Sequence, residues 1–162
     1  MKSFLAAVAG AAFLWAAMPA AAAQVAEVGK PAPPFSVSGL DGKKVTLAQF
    51  SGHPVFVNFF ATWCPPCKLE LPNIVKSYPS YKARVVFIGL DQEESPDLIQ
   101  PFIKQYSIPY SIGIDQGEVG ASYGVAALPQ SIFIDRHGTI RAIWRGYMPP
   151  NIFQRDMALI AP

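Results

Sequence analysis

Val55-Phe56-Val57-Asn58-Phe59-Phe60-Ala61-Thr62-Trp63-Cys64-Pro65-Pro66-Cys67 is the stretch on which the fold turns. Val55 to Phe60 is apolar at both parities, with Asn58 its one polar residue. That pattern suits a central strand in a sheet covered on both faces. Beyond the turn, Cys67, Leu71, Ile74, Val75 and Tyr78 follow the 3.6-residue period of an amphipathic helix running to Tyr81. Cys67 therefore points toward the core, and Cys64, one turn earlier at the helix start, is expected to be exposed. Pro72 falls inside the helical pattern and predicts a bend, since it removes a donor and crowds the preceding turn. A strand thus feeds a helix across a C-x-x-C turn. The chain has two cysteines, and a redox pair two residues apart is their most economical explanation.

The N-terminus carries a different signal. Lys2 is the only charge before Glu27, Phe4 to Ala17 is apolar, and Ala21-Ala22-Ala23 offers an A-x-A cleavage site. Residues 1–23 read as a secretory signal peptide, the alternative being a membrane anchor over residues 4–17. The apolar stretch is short for a spanning helix, which needs ~20 residues. Residues 24–162 then form one domain. Across the whole 162-residue chain 51% of residues are hydrophobic and 15% charged, which provides for a real core. The formal net charge is +2 and no run of Lys or Arg occurs, so nucleic acid is not an expected partner. An exported protein meets an oxidising environment, where a structural disulfide would close a longer loop than two residues. This pair is better suited to exchange.

The rest of the chain alternates strand and helix. Gln24 to Pro34 is proline-rich and predicted to be extended. Phe35-Ser36-Val37 and Lys44 to Leu47 flank a Gly39-Leu40-Asp41-Gly42 turn and predict an N-terminal β-hairpin. Arg84 to Leu90 reads as a second apolar strand, and Ser95-Pro96 opens a helix to about Gln105. Gly113, Gly117, Gly120 and Gly124 lack the G-x-G-x-x-G spacing of a phosphate loop and read as turns. Ser131 to Asp135 and Thr139 to Arg145 predict a hairpin across Arg136-His137-Gly138, and Pro149 to Ile160 a closing helix. The fold class is α/β, a mixed central sheet flanked by helices.

The chemistry follows from position. Cys64 at a helix N-terminus is the expected nucleophile, its thiolate favoured by the dipole and nearby amides. Pro65 and Pro66 have no N–H, which leaves Cys67 and Lys68 as donors and predicts a mild effect. Cys67 is the resolving thiol, and its burial calls for help in losing a proton. Glu70 lies three residues on, about 60° around the helix, with no basic residue at i±3 or i±4 to pair with. It is the candidate proton relay. A zinc site would need two more ligands, and His53 and His137 have no such spacing; no metal or cofactor is expected.

Gly29-Lys30-Pro31-Ala32-Pro33-Pro34-Phe35, Asp41-Gly42-Lys43, Asn58 to Cys67, Leu128-Pro129 and Ile134 to Gly138 together resemble the exported thioredoxin-like proteins of the TlpA/ResA type. The resemblance covers essentially all of the chain after Gln24. It implies a thioredoxin-like fold, thiol-disulfide exchange with protein partners and a glutamate three residues after the second cysteine, here Glu70. It also implies a cis peptide at Pro129, with Leu128 offering its backbone to an extended substrate segment and Trp63 shielding one side of Cys64. Asn58 stands where thioredoxins carry a buried aspartate, which leaves the titrating role to Glu70. Gln130 departs from the threonine or glutamate of related proteins. The implied activity is reduction of specific protein disulfides, such as apocytochrome c or oxidase copper-site cysteines. The expected partners are those thiols and a membrane-embedded thiol-disulfide electron donor, and the protein is expected to be a periplasmic or otherwise extracytoplasmic monomer.

Two other functions are weighed against this one. A thiol peroxidase of the peroxiredoxin type resembles P-x-x-x-[ST]-x-x-C, whereas Thr62 lies two residues before Cys64 and Asn58 replaces the proline. A copper-binding assembly protein resembles C-x-x-x-C with a distant histidine; His137 could serve, but the spacing here is C-x-x-C.

Overall fold

A computed structural model describes residues 25–161; the predicted signal segment 1–23 lies outside them. In chain order the elements are β1 (Ser36–Gly39), β2 (Lys44–Thr46), a 3-10 turn (Leu47–Phe50), β3 (Val55–Phe60), α1 (Pro65–Tyr81) and β4 (Val86–Gln92). They continue as α2 (Pro96–Tyr106), β5 (Ser111–Asp115), α3 (Glu118–Ser122), β6 (Gln130–Ile134), β7 (Ile140–Arg145) and α4 (Pro150–Ile160). The strands form one seven-stranded sheet in the order β2-β1-β5-β4-β3-β6-β7. β3, β4 and β5 run parallel, while β1, β6 and β7 each pair antiparallel with a neighbour. Among the described residues no helix is long and apolar enough to cross a membrane.

β3 is central because both its faces are covered. Val55, Val57 and Phe59 pack with Phe35, Ile132 and Tyr123 on one side of the sheet. Phe56 faces the other way, against Ile74 of α1 and Phe153 and Met157 of α4, and Phe60 meets Leu71 of α1 and Ile99 and Phe102 of α2. Side chains alternate along a strand, so Asn58 shares the face of Phe56 and Phe60, the one covered by α1. This alternation carries the one polar residue of the strand toward the helix that follows the cysteines.

The predicted hairpin forms, with Val37 opposite Val45, and it docks onto the sheet through β5, where Gly39 pairs with Gly113. α1 runs unbroken through Pro72 and also through Pro79. Ser95 occupies the N-cap of α2, although its side chain makes no capping hydrogen bond. The leading segment is interrupted by a turn at Val28–Lys30 before Pro31 bridges to Thr139.

One sequence expectation fails here. Of the four glycines expected in turns, Gly113 belongs to β5 and Gly120 to α3. A Cβ on Gly113 would collide with Val37 Cγ2, and one on Gly120 would lie 2.5 Å from Gln92 Oε1. Gly113 is held to glycine by close strand packing rather than by a turn, whereas at Gly120 the Gln92 side chain would have to shift. Gly117 (φ 96°) and Gly124 (φ 62°) do adopt the left-handed conformation expected of turns.

Candidate active site at the start of the first helix

α1 begins where β3 ends, and Cys64 is its N-cap residue, in extended conformation with φ −79° and ψ 110°. Cys64 and Cys67 form a disulfide with an S–S distance of 2.11 Å and Cα atoms 5.3 Å apart. The Cys67 N–H donates to Cys64 Sγ at 3.2 Å. The Lys68 N–H is occupied by the Cys64 carbonyl at 3.2 Å, the first turn of the helix ladder. One amide therefore remains on the Cys64 sulfur, fewer than the two expected.

The expectation that Cys64 is exposed is overturned. Cys64 is 2% exposed and Cys67 3%. The disulfide lies in an apolar cluster with Phe60, Ala61 and Leu71, against which Leu128 also packs. Trp63 instead projects into solvent at 66% exposure.

The Leu128–Pro129 peptide is cis. The next residue, Gln130, pairs with Phe59 at the end of β3, so Pro129 abuts the strand end that leads into the cysteines. The Pro129 carbonyl accepts from the Gly146 N–H at 2.8 Å, while Leu128 contributes neither N–H nor C=O to the described backbone hydrogen bonds. Gln130 is fully buried, and its amide donates to the Tyr123 carbonyl at 2.9 Å. It braces the loop from inside.

Glu70 is 2% exposed. Its Oε1 accepts from Asn58 Nδ2 at 3.0 Å and its Oε2 from the Met148 N–H at 2.6 Å. The same Asn58 amide donates to Ser131 Oγ at 3.0 Å. Burial pushes the Glu70 carboxyl up to about 7, against the pull of the Met148 amide and, more weakly, of Asn58. The Glu70 charge in turn adds to the burial that raises the Tyr110 phenol. A carboxyl that titrates near neutral pH, one helical turn beyond Cys67, can exchange protons under the conditions in which thiols do.

Helix spacing singles out Glu70 and strand parity places Asn58 on its side of the sheet, but the Met148 N–H that also holds Glu70 has no sequence signal. The Met148 N–H is 78 residues away and belongs to the loop before α4. Ser131 lies opposite Asn58 in the β3–β6 register, which a strand-pairing argument could have found. Asp91 and Glu94 were also missed. The Thr62 hydroxyl donates to Glu94 Oε1 at 2.6 Å and the Thr62 N–H to Oε2. His53 and His137 line a groove with Phe50, Val55 and Ile134 at the opposite end of β3 from the cysteines. Among the described residues no three His, Cys, Asp or Glu side chains are grouped to hold a metal.

A cysteine pair at the N-terminus of the helix after a central strand, beside a cis-proline on a mixed sheet, defines a thioredoxin-like thiol-disulfide oxidoreductase. Comparison with known proteins agrees. The AhpC/TSA family matches residues 28–143. The thiol-disulfide oxidoreductase ResA of Bacillus thuringiensis subsp. konkukian is 44% identical over 138 residues, 84% of this chain and 80% of the relative. That of Halalkalibacterium halodurans is 36% identical over 140 residues, 85% and 80% of the two chains. A solved thiol:disulfide interchange protein of the thioredoxin family from Chlorobium tepidum is 28% identical, with a TM-score of 0.75 over 84% of this chain and 99% of the other. The chain belongs to the AhpC/TSA family and, within it, to the ResA-type thiol-disulfide oxidoreductases.

Proposed function

We propose that the protein is an exported reductant of protein disulfides, with Cys64 attacking, Cys67 resolving and Glu70 relaying protons to and from Cys67. The observation that carries this reading is the buried Glu70, which titrates near 7 one turn after Cys67. In the reduced enzyme the Cys64 thiolate attacks one sulfur of a substrate disulfide. A mixed disulfide forms, and the other substrate sulfur leaves as a thiolate that takes a proton. Cys67 then gives its proton to the Glu70 carboxylate and attacks Cys64 Sγ, releasing the second substrate thiolate. Two electrons pass to the substrate, and the Cys64–Cys67 disulfide remains.

The reducing direction is supported by the single amide left on Cys64 Sγ. With little stabilisation of its thiolate, reduced Cys64 is held less firmly than in a strongly oxidising dithiol. Trp63, Leu128 and Pro129 border the pair and receive the substrate, Leu128 through its unpaired backbone groups. By resemblance the substrates are apocytochrome c or oxidase copper-site cysteines. A membrane-embedded thiol-disulfide protein restores the dithiol, and the signal at residues 1–23 delivers the protein as a soluble monomer to an extracytoplasmic space.

A Cys67→Ser variant expressed in the native compartment tests the reading. It should accumulate mixed disulfides through Cys64, and their identification by mass spectrometry names the substrates. A measured potential as high as that of a strong oxidant would reverse the direction.

A further inference from the structure

A second buried carboxyl lies at the end of β4, beside the strand that leads into the cysteines. Asp91 ends the apolar run of β4, level with Phe60 in the parallel pairing with β3, and is fully buried. Its Oδ1 accepts from the Glu94 N–H at 3.1 Å, while its Oδ2 is buried with no hydrogen-bond partner. Glu94 in turn grips Thr62 by both its hydroxyl and its N–H. Thr62 follows Ala61, whose carbonyl accepts from the Cys64 N–H at 3.2 Å. A line of contacts thus runs from Asp91 through Glu94 to the turn that presents Cys64.

The line carries no compensating cation. None of the ion pairs among the described residues involves Asp91 or Glu94. The nearest titratable groups in the chain are acidic: Glu93 on the same turn, Asp97 in the first turn of α2 and Asp115 at the end of β5, while the cysteine pair after β3 is closed as a disulfide. Among the basic residues of the flanking helices, Lys68 after the cysteines and Lys104 in the last turn of α2 pair with neither Asp91 nor Glu94. Asp115 is engaged by the Val119 and Gly120 N–H groups and by the Gln92 amide. Burying a carboxylate without a partner is costly, so such a group holds its proton. Burial first, and then the neighbouring Glu94 carboxylate, push Asp91 up to about 8.

We propose that Glu94 is a positioning residue for Cys64, strapping its turn through Thr62, and that the buried Asp91 carboxyl behind it sets when the strap holds. With Asp91 protonated no charge stands behind Glu94, and Glu94 keeps both Thr62 donors. Once Asp91 releases its proton to solvent, two like charges lie side by side and the grip on Thr62 slackens. This is distinct from proton transfer by Glu70, which lies against Asn58 and Met148. It rests on the assignment of Cys64 as the attacking thiol, but not on the direction of electron flow.

The test is the alkylation rate of Cys64 by iodoacetamide from pH 5 to 10, measured in the Cys67→Ser protein and checked for folding by circular dichroism. A second step near pH 8, beyond the thiolate titration, is expected. Asp91→Asn and Glu94→Gln, each in the same background, should lose that step. Thr62→Val, which removes only the hydroxyl donor, should shrink it. Persistence of the step in folded Asp91→Asn or Glu94→Gln, or its absence from the parent, overturns the proposal. If the two carboxyl variants fail to fold, an unaltered step in Thr62→Val overturns it as well. A Cys64 that does not react at any pH would overturn the attacking-thiol assignment instead, so the two failures are told apart.

Discussion

Asn58 Nδ2 and Glu70 Oε1 lie 3.0 Å apart in the protein interior, joining the central strand to the helix that carries the dithiol. The amide donates, so Glu70 is held without a charged neighbour. Asn58→Asp would place a second carboxyl at this distance. Two carboxyls that close share one proton and titrate as a pair, the upper apparent value moving above that of either alone. The variant should therefore shift the pH profile of disulfide exchange to the alkaline side of 7 and lose about 1–3 kcal/mol of stability at pH 8 relative to pH 6. A profile still centred near 7 would mean that the Asn58 amide does not govern Glu70.

Glu70 also links stability to pH. In the unfolded chain it titrates at its ordinary value of 4.5, and in the native protein at about 7. Between those values the native state binds more protons than the unfolded one, so stability falls as pH rises through the window and levels off above 7. The stability lost is on the order of 3 kcal/mol. A glutamine side chain in place of Glu70 would not ionise, and it can still accept from the Met148 N–H while donating to a rotated Asn58 amide. Urea unfolding at pH 5 and pH 8 should show Glu70→Gln gaining stability over the parent at pH 8, with less difference at pH 5. The same substitution should remove the step near 7 from the exchange profile, and an unchanged profile would end the relay hypothesis.

The parts of this site that sequence discloses are those set by local spacing. Cys67 and Glu70 lie on one helix within four residues, and Asn58 has the strand parity of Phe56 and Phe60; period and parity suffice to bring them together. Met148 and Asp91 escaped for different reasons. Met148 acts through its backbone, which every residue possesses, across a tertiary contact. Asp91 was lost because the apolar run appeared to stop at Leu90, whereas β4 continues to Gln92 and carries the acid inside. Cys64 departs from the expectation because position at a helix start does not reveal the tertiary neighbours, Phe60, Leu71 and Leu128, that cover it. In β5, glycines needed for close strand packing are indistinguishable in sequence from glycines needed for turns.

Trp63 is 66% exposed beside a buried cysteine pair, an arrangement with little to recommend it for stability. Trp63→Ala should change the free energy of unfolding by no more than about 0.5 kcal/mol, as surface substitutions do. If the indole receives substrate, KM for a protein disulfide should rise more than kcat falls. Steady-state kinetics with a scrambled disulfide-bonded protein would measure the split. A loss confined to kcat would instead place Trp63 in the chemistry of Cys64.

The hairpin of β1 and β2 is joined to the rest of the sheet at Gly113, opposite Gly39. A Cβ there would strike Val37 Cγ2 and lie 3.1 Å from Leu90 Cδ2, both in the core cluster on one side of the sheet. Val37 is a β-branched residue with few rotamers to move into, and Leu90 is fully buried, so neither yields readily. Gly113→Ala should cost about 1–3 kcal/mol by overpacking. Val37→Ala alone removes buried methyls and should also destabilise. Together the two changes should cost less than their sum, because the second makes room for the first; residues in contact commonly show coupling of about 0.5–3 kcal/mol. Urea unfolding of both single variants and the double variant measures that coupling. Strict additivity would mean that β1 is not packed on β5 through this glycine, and that the hairpin belongs to the sheet less closely than the register of Gly39 and Gly113 requires.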